Sequence, residues 1–160
     1  EVERFDQIAR NLLYLDGISC TTVSPGRVVR LDRVITTYQL SAAGAPDDSF
    51  LDINVPAILD FIRWDIARLV KSKFPRHKLA KDGTQFGEGQ AIVTPSIMRA
   101  ELIAEFIAWE ALGLVEDRDQ FKRDLIVEIN QGDPTRLDIR LPPNLVNGLA
   151  VTAVQIQFRR

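Results

Sequence analysis

A chain of 160 residues, 46% hydrophobic and 26% charged, with a formal net charge of −2, is long enough for one well-buried core and has ordinary globular composition. The near-neutral balance excludes a global basic bias toward nucleic acid and a strongly acidic tail. One cysteine, Cys20, excludes an internal disulfide and zinc-type spacing, and fits a reducing cytosol or a particle assembled in one. No apolar run approaches the roughly 18 residues needed to span a bilayer, and no signal-peptide pattern opens the chain. Glu1 rather than Met stands first, which reads as a fragment of a longer protein.

In chain order, Val2 to Leu13 place Phe5, Ile8, Leu12 and Leu13 at helical spacing, and Asp16-Gly17 breaks the pattern. Ile18 to Val23, the turn Ser24-Pro25-Gly26 and the β-branched run Val28 to Tyr38 read as a β-hairpin. Ser41 to Asp48 is a loop. A helix is predicted from about Pro56 to Lys73, with Asn54 as N-cap, an apolar stripe of Ile58, Phe61, Ile62, Ile66, Leu69 and Val70, and Pro75 as its stop.

Arg76 to Gln90 is basic, then glycine-rich, and predicts a long loop of the kind that often carries function or an interface. The next helix has the clearest signals. Thr94 is its cap, Pro95 its first residue and Gly113 its left-handed C-terminal stop, with Leu102, Ile103, Phe106, Ile107 and Trp109 as the buried face. Asp119 to Arg123 reads as a helical turn. Leu125 to Ile129 and Leu137 to Leu141 read as strands around Gly132-Asp133-Pro134, and Pro142-Pro143 ends the second. Gly148 to Arg160 alternates Val154, Ile156 and Phe158 with Gln155, Gln157 and Arg159, the period of a strand. Helices and strands mix without regular βαβ units, so the class is α+β, a mixed sheet with packed helices and a C-terminal strand or arm. A terminal strand either completes its own sheet or adds to a neighbouring subunit's edge. The residues alone favour the first option.

Signals for catalysis are weak. His77 could act as a general base beside Asp82, but no nucleophile or second histidine accompanies it, and a loop histidine bonded to backbone or meeting a neighbouring subunit explains it better. Asp47, Asp48 and Asp52, with a nearby basic patch, are the candidates for a metal-assisted phosphoryl-transfer or nuclease-like enzyme. They lack the ligand spacing and closing glutamate of a calcium loop, and turns and caps favour the same residue type. Gly83, Gly87 and Gly89 precede Ala91-Ile92-Val93 rather than a helix, so they do not form a phosphate-binding fingerprint. From Arg63 to Lys81 basic residues dominate: Arg63, Arg68, Lys71, Lys73, Arg76, Lys78 and Lys81 against Asp60 and Asp65. Such a patch suits phosphates or an acidic protein surface, and a solvated helix face is the plainer alternative.

Specific strings then carry a resemblance along nearly the whole length. They are Leu15-Asp16-Gly17-Ile18, Arg33-Val34-Ile35-Thr36-Thr37-Tyr38, Ala43-Gly44-Ala45-Pro46-Asp47-Asp48-Ser49-Phe50-Leu51-Asp52, and Phe74-Pro75-Arg76-His77-Lys78-Leu79-Ala80. They continue with Asp82-Gly83-Thr84, Arg99-Ala100-Glu101-Leu102-Ile103 and Leu141-Pro142-Pro143-Asn144-Leu145-Val146-Asn147. In this order the chain resembles the C-terminal portion of Mu-like contractile phage tail sheath proteins. The resemblance implies a structural, non-enzymatic subunit without cofactor or metal, in stacked hexameric rings around a tail tube, that shortens to drive the tube through the host envelope. Type VI secretion and tailocin sheaths work similarly, and the residues do not separate a phage or prophage from such a device. The implied partners are other copies of the subunit, the tail tube protein, and baseplate and tail terminator proteins, with no nucleic acid and no direct membrane insertion. The implied location is the virion tail, assembled in the host cytoplasm. The implied division is an inner, tube-proximal domain over 1–147 and a linking strand over 148–160. In that reading Val154, Ile156 and Phe158 belong to the strand that joins subunits, and Arg68, Lys71, Lys73 and Arg76 face the tube. Sheath proteins of this kind are larger, with an N-terminal arm and outer domain beyond this chain.

Overall fold

A computed structural model describes residues 5–149 and 152–158. In chain order the elements are α1 (Gln7–Leu15), β1 (Cys20–Ser24), β2 (Val28–Arg33), α2 (Asn54–Lys73), β3 (Lys78–Leu79) and β4 (Ile92–Val93). They continue with α3 (Pro95–Ala111), β5 (Val115–Glu116), α4 (Arg118–Asp124), β6 (Ile126–Ile129), β7 (Leu137–Arg140) and β8 (Asn144–Leu145). The class is α+β. Among the described residues the strands form four separate two-stranded ladders rather than one mixed sheet: β1–β2, β5–β8 and β6–β7 antiparallel, and β3–β4 parallel. The chain falls into two compact units, Glu1–Arg68 and Leu69–Arg160, divided within α2.

In the first unit, Asp6 caps α1 by accepting the Ala9 N–H at 2.7 Å, so the helix begins later than its apolar spacing suggests. It ends in paired reverse-turn bonds, Gly17 N–H to the Tyr14 carbonyl (3.0 Å) and Ile18 N–H to the Leu13 carbonyl (2.9 Å). Gly17 is required there twice over. Its φ is +75°, and a Cβ would lie 3.2 Å from the Thr36 carbonyl oxygen and the Thr37 Cα. The core of this unit is small: Tyr14, Cys20, Ile35 and Leu51, with Leu13 packed against them. Tyr14 donates to Asp32 at 2.5 Å, and burial followed by that bond pushes its pKa up to about 12. The irregular segment after β2 is tied back by Thr36 N–H to the Leu51 carbonyl (2.8 Å) and by a two-pronged bond from Arg33 to Asp52. Asn54 is the first residue of α2 rather than its cap.

In the second unit, α3 follows its sequence signals closely. Thr94 Oγ accepts the Ile97 N–H, Pro95 opens the helix, and Gly113 (φ +70°) closes it with Leu114 N–H bonded to the Trp109 carbonyl at 3.1 Å. Met98, Leu102, Phe106 and Trp109 are buried, whereas Ile107, expected in that face, is 41% exposed. Phe106 stacks on Phe121 of α4 with ring centroids 4.1 Å apart. Asp117 caps α4 from a left-handed conformation (φ +59°) by accepting the Gln120 N–H. The Arg99 guanidinium bonds the carbonyls of Lys122 and Leu125 at the other end of α4. The β6–β7 turn is held by Asn130, whose side-chain oxygen accepts the N–H groups of Gly132 and Asp133.

The C-terminal segment departs from its alternating pattern. Residues 152–158 carry no strand, and Val154, Ile156 and Phe158 are 78%, 90% and 85% exposed. Completion of a sheet within the chain, the option favoured by the residues alone, is therefore not what these residues do. Alternation gives a strand an apolar face, but main-chain donors and acceptors still need an edge to pair with.

Two substitutions test this account by urea denaturation of residues 1–160. Phe106→Ala is expected to cost about 3–5 kcal/mol, as for a fully buried aromatic ring. Ile107→Ala is expected to cost less than about 1 kcal/mol. Equal costs would contradict the assigned face of α3.

Candidate assembly surfaces

Of the candidate enzymatic carboxylates, Asp47 and Asp52 are engaged within the chain. Asp47 accepts from Tyr38 Oη at 2.6 Å and from the Ser49 N–H and hydroxyl, while Asp52 is gripped by Arg33. The Ser49 hydroxyl, then Tyr38, hold the Asp47 carboxyl below its ordinary pKa. These bonds order a loop, in which Ser41 N–H also closes on the Ala45 carbonyl and Asp47 N–H on the Gln39 carbonyl. Among the described residues no group of three or more His, Cys, Asp or Glu is placed to hold a metal ion. His77 and Asp82 form no dyad either. His77 Nδ1 lies 3.2 Å from the Pro75 carbonyl oxygen and its ring meets Phe74 edge-on. Asp82 instead accepts the Ser96 N–H at 2.9 Å, satisfying a donor at the start of α3 that has no partner within the helix.

That bond locates the glycine-rich loop. β3 and β4, whose pairing is too short to leave a period in the sequence, close its base through Lys78 N–H to Ala91 O (2.8 Å) and Ala80 N–H to Val93 O (3.0 Å). Asp82 pins the strand-to-helix side, and Thr84 Oγ bonds the Lys81 carbonyl at 2.7 Å. Every residue from Lys81 to Ala91 is exposed, including Phe86. The result is a solvent-facing loop on a fixed base.

The basic patch is partly consumed within the chain. Arg68 donates through Nε and Nη2 to the buried Asp65, and Lys73 Nζ meets Glu101 at 2.5 Å. Lys71 and Arg76 are exposed, and Arg76 sits in a left-handed conformation (φ +57°) just after Pro75. Sequence reasoning set Asp65 against these charges but missed Glu101, because it lies 28 positions from Lys73. No helix among the described residues is long and apolar enough to cross a membrane.

The Asp82 contact has a pH signature. The Ser96 hydroxyl, then its N–H, hold the Asp82 carboxyl below its ordinary value. Its stabilising bond is thus fully present above the unfolded value of about 3.9 and is lost as pH falls through the lowered one. Amide exchange of Ser96, corrected for intrinsic rate, should accelerate on acidification through that window and in Asp82→Ala at neutral pH. Unchanged Ser96 protection in Asp82→Ala would refute the pin.

Residues 45–159 match the family described as the phage tail sheath C-terminal domain. The Mu-like prophage FluMu tail sheath protein of Haemophilus influenzae is 44% identical over 156 residues, which cover 98% of this chain and 32% of that protein. The chain thus spans about a third of the length of the curated relative it matches. With most of its length inside the family match, this chain belongs to the phage tail sheath C-terminal domain family.

Proposed function

We propose that this chain is the inner, tube-proximal part of a contractile tail sheath subunit, a structural element of a phage or prophage tail and not an enzyme. Family membership is the observation that carries the reading. In it, residues 1–147 form the body that lies against the tail tube and 148–160 form the linking strand. Subunits stack as hexameric rings around the tube, end on baseplate and terminator proteins, assemble in the host cytoplasm and become part of the virion. Contraction is a repacking of large interfaces between two arrangements while flexible tethers persist.

Two surface features support this division of labour. Val154, Ile156 and Phe158 expose one alternating apolar set on a segment without a ladder of its own. Addition to a neighbouring subunit's sheet would satisfy its main chain and bury those side chains together. Among Arg68, Lys71, Lys73 and Arg76, docking on an acidic tube surface falls mainly to the exposed Lys71 and Arg76, since the other two already bond carboxylates. The nuclease-like alternative is the poorer reading, since of Asp47, Asp48 and Asp52 the first bonds Tyr38 and Ser49 and the last bonds Arg33.

Electron microscopy of the concentrated full-length protein should show long, hollow, striated tubes. Removal of residues 154–160 should leave a folded protein that makes none, and normal tubes from the truncated protein would remove the linking role. Lys71→Glu with Arg76→Glu should weaken association with purified tail tubes. The wild-type association should also fall as salt rises, since exposed charges are screened over about 8–10 Å at moderate ionic strength. Salt-independent binding would count against the basic face.

A further inference from the structure

Among the described residues, the first unit leaves more large apolar side chains exposed than it buries. Phe5, Ile8, Leu12 and Leu15 are 66%, 73%, 61% and 61% exposed. Within α1, Ile8, Leu12 and Leu15, spaced by four and three, lie on one side, opposite the side that buries Tyr14, and Phe5 stands just before the Asp6 cap. Asp6 and Gly17 cap both ends, so the stripe is presented by a formed helix. The hairpin shows the same imbalance. Val28 and Val29, consecutive in β2 and therefore facing opposite sides, are both exposed. An apolar stripe such as that of α1 marks a face made to be covered.

Two observations identify the cover. The match to the C-terminal domain family begins at residue 45, after α1 and the hairpin. Likeness to the FluMu protein nevertheless covers 98% of the chain, and that protein is about three times as long. We propose that α1 and the β1–β2 hairpin are the closing elements of the domain that precedes the C-terminal domain in a sheath polypeptide, and that the α1 stripe packs into the core of that domain within the same chain. This rests on the sheath reading above and narrows its inner body to the part of the chain that follows the hairpin. A second copy is the poorer occupant. Two and a half turns of helix are too short to associate by helix pairing alone, and four side chains fall well short of the roughly 800 Å² per partner of a stable protein interface.

The test is thiol labelling of Leu12→Cys, with buried Cys20 as the slow internal reference. It compares residues 1–160 with the full-length polypeptide, both held dilute and shown to be monomeric by sedimentation. Labelling should be fast in 1–160 and slower by on the order of 100-fold in the full-length monomer. Ile8→Glu with Leu12→Glu should leave the urea midpoint of 1–160 unchanged and lower that of the full-length monomer. Equal labelling in the two chains would overturn the proposal. So would protection that appears in 1–160 only as concentration rises, which would assign the face to a second copy. Tube formation by the wild type is scored separately: a protected stripe in a protein that makes no tubes would sink the sheath reading and leave the intrachain contact standing.

Discussion

Burial of one side of α3 is the constraint on which the second unit depends. Leu102 and Phe106 are fully buried and Trp109 nearly so, and Phe121 reaches them from α4 as a stacked ring. A short helix such as α4 has little stability of its own, because a helix nucleus costs several ordered residues for few bonds. Its stability comes from Phe121 at its centre, Asp117 at its start and Arg99 reaching from α3 to its end. β6 continues directly from α4, and its hairpin with β7 is set by the Asn130 turn. Register in this unit is therefore passed outward from α3 by caps and turns more than by long ladders.

The elements legible in the sequence are those whose physics is local. Thr94, Pro95 and Gly113 fix both ends of α3 within a turn of its apolar face, and Gly132-Asp133-Pro134 fixes the β6–β7 hairpin between two short alternating runs. What stayed hidden depends on partners distant in sequence. The ladders β3–β4 and β5–β8 have two residues per strand, too few to show a period, and are specified by closure of the loop at Lys78 and by Val146 bonding Leu114. Apolar spacing in α1 correctly gives a helix but not which side is covered, since only contact with Cys20, Ile35 and Leu51 selects Tyr14 and Leu13.

The same limit governs the candidate sites. Asp47, Asp52, Asp82 and His77 have residue types suited to catalysis, and each is explained by a bond that shapes a loop or starts a helix. Several strings of the family likeness coincide with these places. Leu15-Asp16-Gly17-Ile18 is the reverse turn after α1, Asp82-Gly83-Thr84 is the pinned loop, and Arg99 to Ile103 contains both the α4 clasp and the Lys73 partner. These strings thus contain positions that fix the backbone path.

In the proposed contractile role, a subunit that changes neighbours without unfolding would need its internal stability and its assembly energy in different places. The second unit keeps its aromatic cluster wholly inside, so interface rearrangement need not disturb that packing. Assembly can then draw on surface that folding leaves unused: the exposed apolar face of the C-terminal segment, the exposed cations Lys71 and Arg76, and the loop over residues 81–91. Strand addition, in the proposed linking role, draws on main-chain hydrogen bonds that are insensitive to the rotation of the bodies they join. Screened surface charges are individually weak and readily exchanged. A strong directional tether combined with weak, replaceable contacts would permit bodies to slide while copies stay connected, and under the proposed role the division between a closed core and an open periphery in this chain suits that requirement.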